Sequence, residues 1–169
     1  MLGFYNNFPT NVHKTVRFVT SISEKTLEKG LTETFYKLNN GTFSLEEVAI
    51  PSIPECTVIF ELGVAEGDDF NYLDEEEKNR LLKVIEKKPF STMDFLCVIR
   101  YYKLRNGIRR PLKFDYYMLR FSFNKKTTQI RVFHEKGLMY VSHKDLPYFI
   151  ADKINAQFCR RVLRAQEVA

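Results

Sequence analysis

The chain has no tryptophan, and its 169 residues include only seven glycines, six prolines, three cysteines and three histidines. So little Gly and Pro excludes collagen-like and low-complexity chains, which bury no core. Cys56, Cys97 and Cys159 are an odd number set far apart. That usage suits a reduced, cytoplasmic chain rather than a secreted disulfide scaffold. No apolar run approaches the ~20 residues that cross a bilayer. The longest, Phe95 to Ile99 and Thr57 to Phe60, have strand length, so no membrane partner is expected. Met1 to Thr10 also lacks the charged start and apolar core of a secretory signal.

Recognisable catalytic chemistry is missing as well. His13, His134 and His143 have no ligand-spaced partner except His134-Glu135, whose side chains point to opposite sides of a strand. Zinc is therefore not expected. Gly63-Val64-Ala65-Glu66-Gly67 lacks the Lys and Ser/Thr of a phosphate loop. No Ser, Cys or His sits in a nucleophile motif. The expectation is a non-enzymatic domain without a cofactor. One alternative remains: Glu66, Asp68 and Asp69 cluster on an expected loop, where carboxylates can hold Mg²⁺ for an enzyme acting on nucleotides, or can form a plain acidic turn.

What is present reads as one globular domain: 44% hydrophobic, 28% charged, with a net charge of +5 that favours an acidic partner. Thr15 to Thr20 alternates as a strand, with Val16 and Phe18 on one face and Arg17 and Val19 on the other. Ser21 and Glu24 have capping-box spacing, and Leu27, Leu31, Phe35 and Leu38 make one helical stripe that Asn39-Asn40-Gly41 should stop. Gly30 inside that helix implies tight packing on the sheet. Phe43 to Ile50 and Cys56 to Val64 read as strands broken by Pro51-Ser52-Ile53-Pro54. A helix follows from about Asp74 to Lys87, with acids in its first turn and lysines in its last.

Phe95 to Leu104 is a strand whose first half is apolar on both faces, which places it centrally. Arg105 to Pro111 holds the Asn106-Gly107 turn pair. Tyr117, Leu119, Phe121 and Phe123 then alternate with Met118, Arg120 and Ser122. Asn124 to Thr127 turns the chain, Gln129 to Phe133 returns, and Leu138 to Val141 is offered as a short strand. Leu146, Ile150, Ile154, Phe158 and Val162 predict a last helix within 142–166. The fold class is α+β, a mostly antiparallel sheet of five to seven strands with about three helices packed on one face. Its regions are an apolar and aromatic arm (1–12), an acidic loop and helix (65–88), basic-aromatic strands (95–141) and the C-terminal helix.

Charge is distributed unevenly. Glu61 to Glu77 carries eight acids and no base. Arg100 to Lys136 carries eleven bases against two acids, a local charge of +9, interleaved with eight aromatics. Bases that neutralise phosphates and aromatics that stack on nucleobases make up a single-strand-binding surface. The phosphate-contact candidates are Arg100, Lys103, Arg105, Arg109, Arg110, Arg120, Lys125, Lys126 and Arg131. The stacking candidates are Tyr101, Tyr102 and Tyr116. Arg120 is expected to join the two basic loops into a stripe. On the last helix Lys153, Arg160 and Arg164 fall at i, i+7 and i+11 and form a second basic stripe. The leading expectation is a nucleic-acid-binding accessory subunit. The rival is a protein-interaction subunit or homo-oligomer that docks through the acidic region and through Leu2, Phe4, Tyr5 and Phe8.

Overall fold

The sequence's clearest alternation becomes the centre of a sheet. A computed structural model describes residues 1–49 and 53–166. Its strands are β1 (Lys14–Thr20), β2 (Thr42–Ser44), β3 (Cys56–Glu66), β4 (Asp69–Tyr72), β5 (Thr92–Arg105), β6 (Ile108–Pro111), β7 (Asp115–Phe123), β8 (Thr127–Lys136) and β9 (Leu163–Ala165). Helices α1 (Glu24–Leu38), α2 (Glu75–Lys87) and α3 (Leu146–Gln157) complete it, with a short 3-10 turn at Leu45–Glu47. The order across the sheet is β2-β3-β5-β7-β8-β1-β9, antiparallel throughout, with β4 paired to β3 and β6 to β5. The strands beyond the expected seven are short pieces, too brief to display a period of two.

One parity of each strand faces the helices. Val16 and Phe18, Phe60 and Leu62, Phe95 and Cys97, and Leu119 and Phe121 are all buried there. Phe35 of α1 meets Phe95 and Phe121 edge-on, and Phe149 of α3 stacks on Phe60. Helix α2 packs against α1 and buries Leu81 and Ile85. Gly30 is needed because a Cβ there would run into the Phe158 ring. The N-cap of α1 is Ser23, whose hydroxyl accepts from Thr26 N, so the Ser21–Glu24 box is not the cap. Asp74 caps α2 as its acidic first turn suggests.

Three further expectations change. Residues 45–47 leave the strand for a 3-10 turn, while Ile50, Pro51 and Ser52 lie outside the described residues. Leu138 to Val141 is not a strand. Helix α3 stops at Gln157, because Cys159 takes a positive φ of 54° and Asn155 binds Leu163 through both N–H and C=O. Val162 is therefore buried by a turn and not by a fourth helical step. The expected stripe of Lys153, Arg160 and Arg164 does not form, because only Lys153 lies on α3.

The N-terminal arm packs on its own sheet. Gly3 donates to Ala65 O and accepts from Asp94 N, filling the gap where β3 and β5 part. Leu2 is buried beside Glu66. Phe4 and Phe8 sit 4.9 Å and 4.3 Å from the Arg120 guanidinium, and Tyr5 N donates to Asp94.

Candidate nucleic-acid interface

The Asn106-Gly107 pair folds β5 and β6 into a tight hairpin. Both residues take positive φ, 52° and 75°, as a two-residue hairpin turn requires. The register opposes Lys103 to Arg110, Leu104 to Arg109 and Arg105 to Ile108. Directly opposed residues share a face, so Lys103, Arg105 and Arg110 project on one side and Arg109 on the other. Every residue from Leu104 to Pro111 is exposed, and Ile108 at the turn is 62% accessible. Among the described residues none of these four cations, nor Lys113 beyond them, forms an ion pair. A like-charged pair directly across a ladder destabilises it. This ribbon holds Lys103 against Arg110 with no carboxylate of its own to relieve them.

The other candidates divide. Arg100 is paired to Glu61 at 3.1 Å and lies 5.8 Å from the Phe114 ring. Arg120 is not a surface contact: its side chain is 17% exposed, it holds buried Asp94 through two 2.8 Å bonds, and Phe4 and Phe8 cover it. The expected stripe through Arg120 is therefore interrupted. Lys125 and Lys126 occupy the β7–β8 turn, at the opposite end of the sheet from the ribbon. Arg131 lies on the outer face between Thr15 and Arg120.

Tyr101 is not a stacking residue, because it is fully buried. Its hydroxyl donates to Asp115 Oδ2 at 2.6 Å, and burial together with Tyr117 and Asp115 pushes its ionisation far above the usual phenol range. Tyr102 and Tyr116 are half-buried on the outer face. Tyr116 stands edge-on to Phe114 at 5.2 Å, with Lys136 5.7 Å from its ring. Phe114, 39% exposed, is an accessible ring that lies outside the expected set of aromatics.

Sequence reading also missed a buried network. Asp115, fully buried, accepts from Tyr101, from the backbone N–H of Met139 and Tyr140, and sits 2.9 Å from His134 Nε2. A Cβ on Gly137 would collide with the same carboxylate. All three histidines gather beside it: His13 accepts from His134 N, stacks on Phe133 and lies 5.8 Å from the His143 ring. Burial and the neighbouring His13, Lys144, Lys14 and His134 hold His143 below the usual histidine range. The network pins the 137–141 loop that leads into α3. Its signal was available: Asp115 shares the inward parity of Tyr117, Leu119 and Phe121.

The acidic hairpin is differently occupied. Arg80 grips Glu66 through both oxygens at 2.6 and 2.8 Å and, with Asn71, holds its carboxyl down to about 2. Asp68 accepts from Asn6 and Asn7. Among the described residues, no three His, Cys, Asp or Glu side chains are grouped to hold a metal ion. Nor is any helix long and apolar enough to cross a membrane. No protein-family model matches the chain, and no match is found among curated proteins or solved structures.

Proposed function

We propose that the protein binds nucleic acid, single-stranded or structured, as a non-enzymatic accessory subunit, with the β5–β6 ribbon as its principal contact. One observation carries this reading: Lys103 and Arg110 face each other across an exposed, acid-free ribbon that also bears Arg105 and Arg109. Phosphates between these cations relieve the repulsion and release counterions. On the other side of the ribbon, where Arg109 projects, Arg100, Phe114, Tyr116 and Lys136 extend the surface onto the outer sheet face, where partly exposed rings stack on bases. The reading places the protein in a reducing, cytoplasmic compartment. Cys56, Cys97 and Cys159 are all unpaired, and burial pushes the Cys97 thiol well above its ordinary range.

The test is fluorescence anisotropy with a labelled single-stranded oligonucleotide of mixed sequence. Converting Arg105, Arg109 and Arg110 to Ala is expected to weaken binding at least about tenfold at low salt. The matched control converts Lys83, Lys87 and Lys88 of the α2 region to Ala and should leave affinity within about twofold. Equal losses in the two variants would count against a ribbon contact.

A further inference from the structure

The half of the outer face built by β1, β8 and β9 carries a groove that charge alone does not account for. Its volume is about 360 Å³, near the small end of ligand sites, which run from roughly 300 to 1,000 Å³. Arg17, Ser122, Phe123, Asn124, Thr127, Gln129 and Gln166 line it, and no acid does among the described residues. The register explains the gathering. Arg17 opposes Gln129 and Gln129 opposes Ser122, so three strands present one row on one face. Arg164, opposite Val19, and Arg131 flank that row.

The walls are fixed by backbone bonds. Gln166 N donates to Arg17 O at 2.9 Å, Thr20 N to Lys126 O at 2.8 Å, and Asn124 N to Thr127 O at 2.9 Å. Asn124 Oδ1 accepts from Lys125 N, which orients the side chain and leaves Nδ2 as a donor. Among the described residues, the side chains of Arg17, Ser122, Gln129 and Gln166 make no hydrogen bond or ion pair to the protein. The groove thus combines one cation, three carboxamides and two hydroxyls, with most of their polar atoms unused.

We infer that this groove holds one nucleotide unit of the bound strand, Arg17 taking its phosphate and Gln129, Asn124 and Gln166 reading the edge of its base. Carboxamides suit a base edge because each offers a donor and an acceptor side by side, the arrangement that pairs bidentately with adenine. A cation suits the phosphate and carries no base information. The ribbon at the other end of the sheet supplies affinity, and this groove supplies preference. The inference rests on the nucleic-acid reading and extends it.

Two measurements separate the two claims. The first is binding of the four single-base homo-oligonucleotides at one fixed salt concentration. Wild type is expected to favour one base by about tenfold, the range of a good bidentate pair. Gln129→Ala should level that preference while changing affinity for the least favoured oligonucleotide by less than about twofold. Arg17→Ala should weaken all four alike. Equal wild-type affinities, or a preference that survives Gln129→Ala, would overturn the groove and leave the ribbon standing. The second is a titration of the full chain with each nucleoside monophosphate and with inorganic phosphate, read by NMR at the side-chain amides of Asn124, Gln129 and Gln166. Base-dependent shifts support the groove even if the Arg105, Arg109 and Arg110 variant binds oligonucleotide as tightly as wild type, the result that would sink the ribbon reading. Absent shifts, or the same shifts with inorganic phosphate alone, overturn it. Melting temperatures of both variants should stay close to wild type, and a Gln129→Ala variant that unfolds would be replaced by Asn124→Ala in the same panel, expected to level the preference likewise.

Discussion

Glu28 is a carboxyl placed where water cannot reach it. It is fully buried in α1, Oε1 accepts from Phe90 N at 2.6 Å, and Oε2 has no partner. Burial first, and then Glu24, raise its pKa from 4.5 to about 8, against the opposing Phe90 bond. The folded value exceeds the unfolded one, so the folded state prefers the protonated form. Stability is full below about pH 4.5 and erodes as pH rises towards 8. Glu28→Gln cannot ionise. Subtracting its denaturation free energy from that of wild type should give a difference growing by about 3–5 kcal/mol in the variant's favour between pH 4 and pH 8. A difference that does not change with pH would show the carboxyl to be solvated.

Arg120 makes the complementary point. Sequence pattern marks it as an outward base within a basic segment, and outward it is. What the pattern cannot show is that residues 1–8 return over it from more than a hundred positions away. Arg120→Ala leaves Asp94 buried without its cation, and should cost about 3–5 kcal/mol by chemical denaturation. Because Arg120 is not among the ribbon's free cations, oligonucleotide affinity measured well below the melting point should barely move. Tyr101 was misplaced for a different reason. Leu96 and Val98 are apolar as well as Cys97 and Ile99, so alternation is erased along the first half of β5 and no longer says which face a tyrosine takes. In β7 alternation is clean, and there Asp115 could have been placed in the core beforehand.

At the scale of elements, long periodic segments were legible and short ones were not. The stripes of α1 and α2, the four long strands β3, β5, β7 and β8, and the Asn-Gly turn all lie where pattern puts them. Strands of three or four residues contain too few alternations to register, so β4, β6 and β9 add to the expected sheet, while β2 is the shortened remnant of the strand expected at Phe43 to Ile50. The end of α3 was obscured because Ile154, Phe158 and Val162 keep a spacing of four across a turn that Asn155 closes. Gly30 does mark a close approach, but to the Phe158 ring at the end of α3 and not to the sheet that its place in the helix suggested. Gly30→Ala would drive a Cβ into the Phe158 ring, at the start of the turn between α3 and β9. A loss of about 1–3 kcal/mol is expected in spite of alanine's better helix propensity, and an unchanged or raised melting temperature would mean that Phe158 moves aside freely.

For the whole molecule, the antiparallel register separates the charges. β3 runs from Cys56, opposite Lys103 at the ribbon, to Glu66 at the acidic hairpin. The acids of 66–77 and the cations of 103–113 therefore occupy opposite ends of the two longest strands, which orients a polyanion as it approaches. The outer face is divided too, with the arm and apolar side chains over β3 and β5 and a polar, cationic half over β8, β1 and β9. Arg17 and Arg164 belong to that half. Sequence alone gave no reason to group Arg17 with Arg131 and Arg164, since it lies over a hundred positions from either and meets them only through the pairing of β1 with β8 and β9.

The most direct measurement is the salt dependence of single-strand binding. With Lys103, Arg105, Arg109, Arg110 and Lys113 each neutralising a phosphate, and Arg17 adding to them, the logarithm of the binding constant should fall against the logarithm of salt concentration with a slope of about −3.5 or steeper. The Arg105, Arg109 and Arg110 to Ala variant should flatten that slope by about 2. Binding that is insensitive to salt, or a variant whose slope matches wild type, would contradict the ribbon's role.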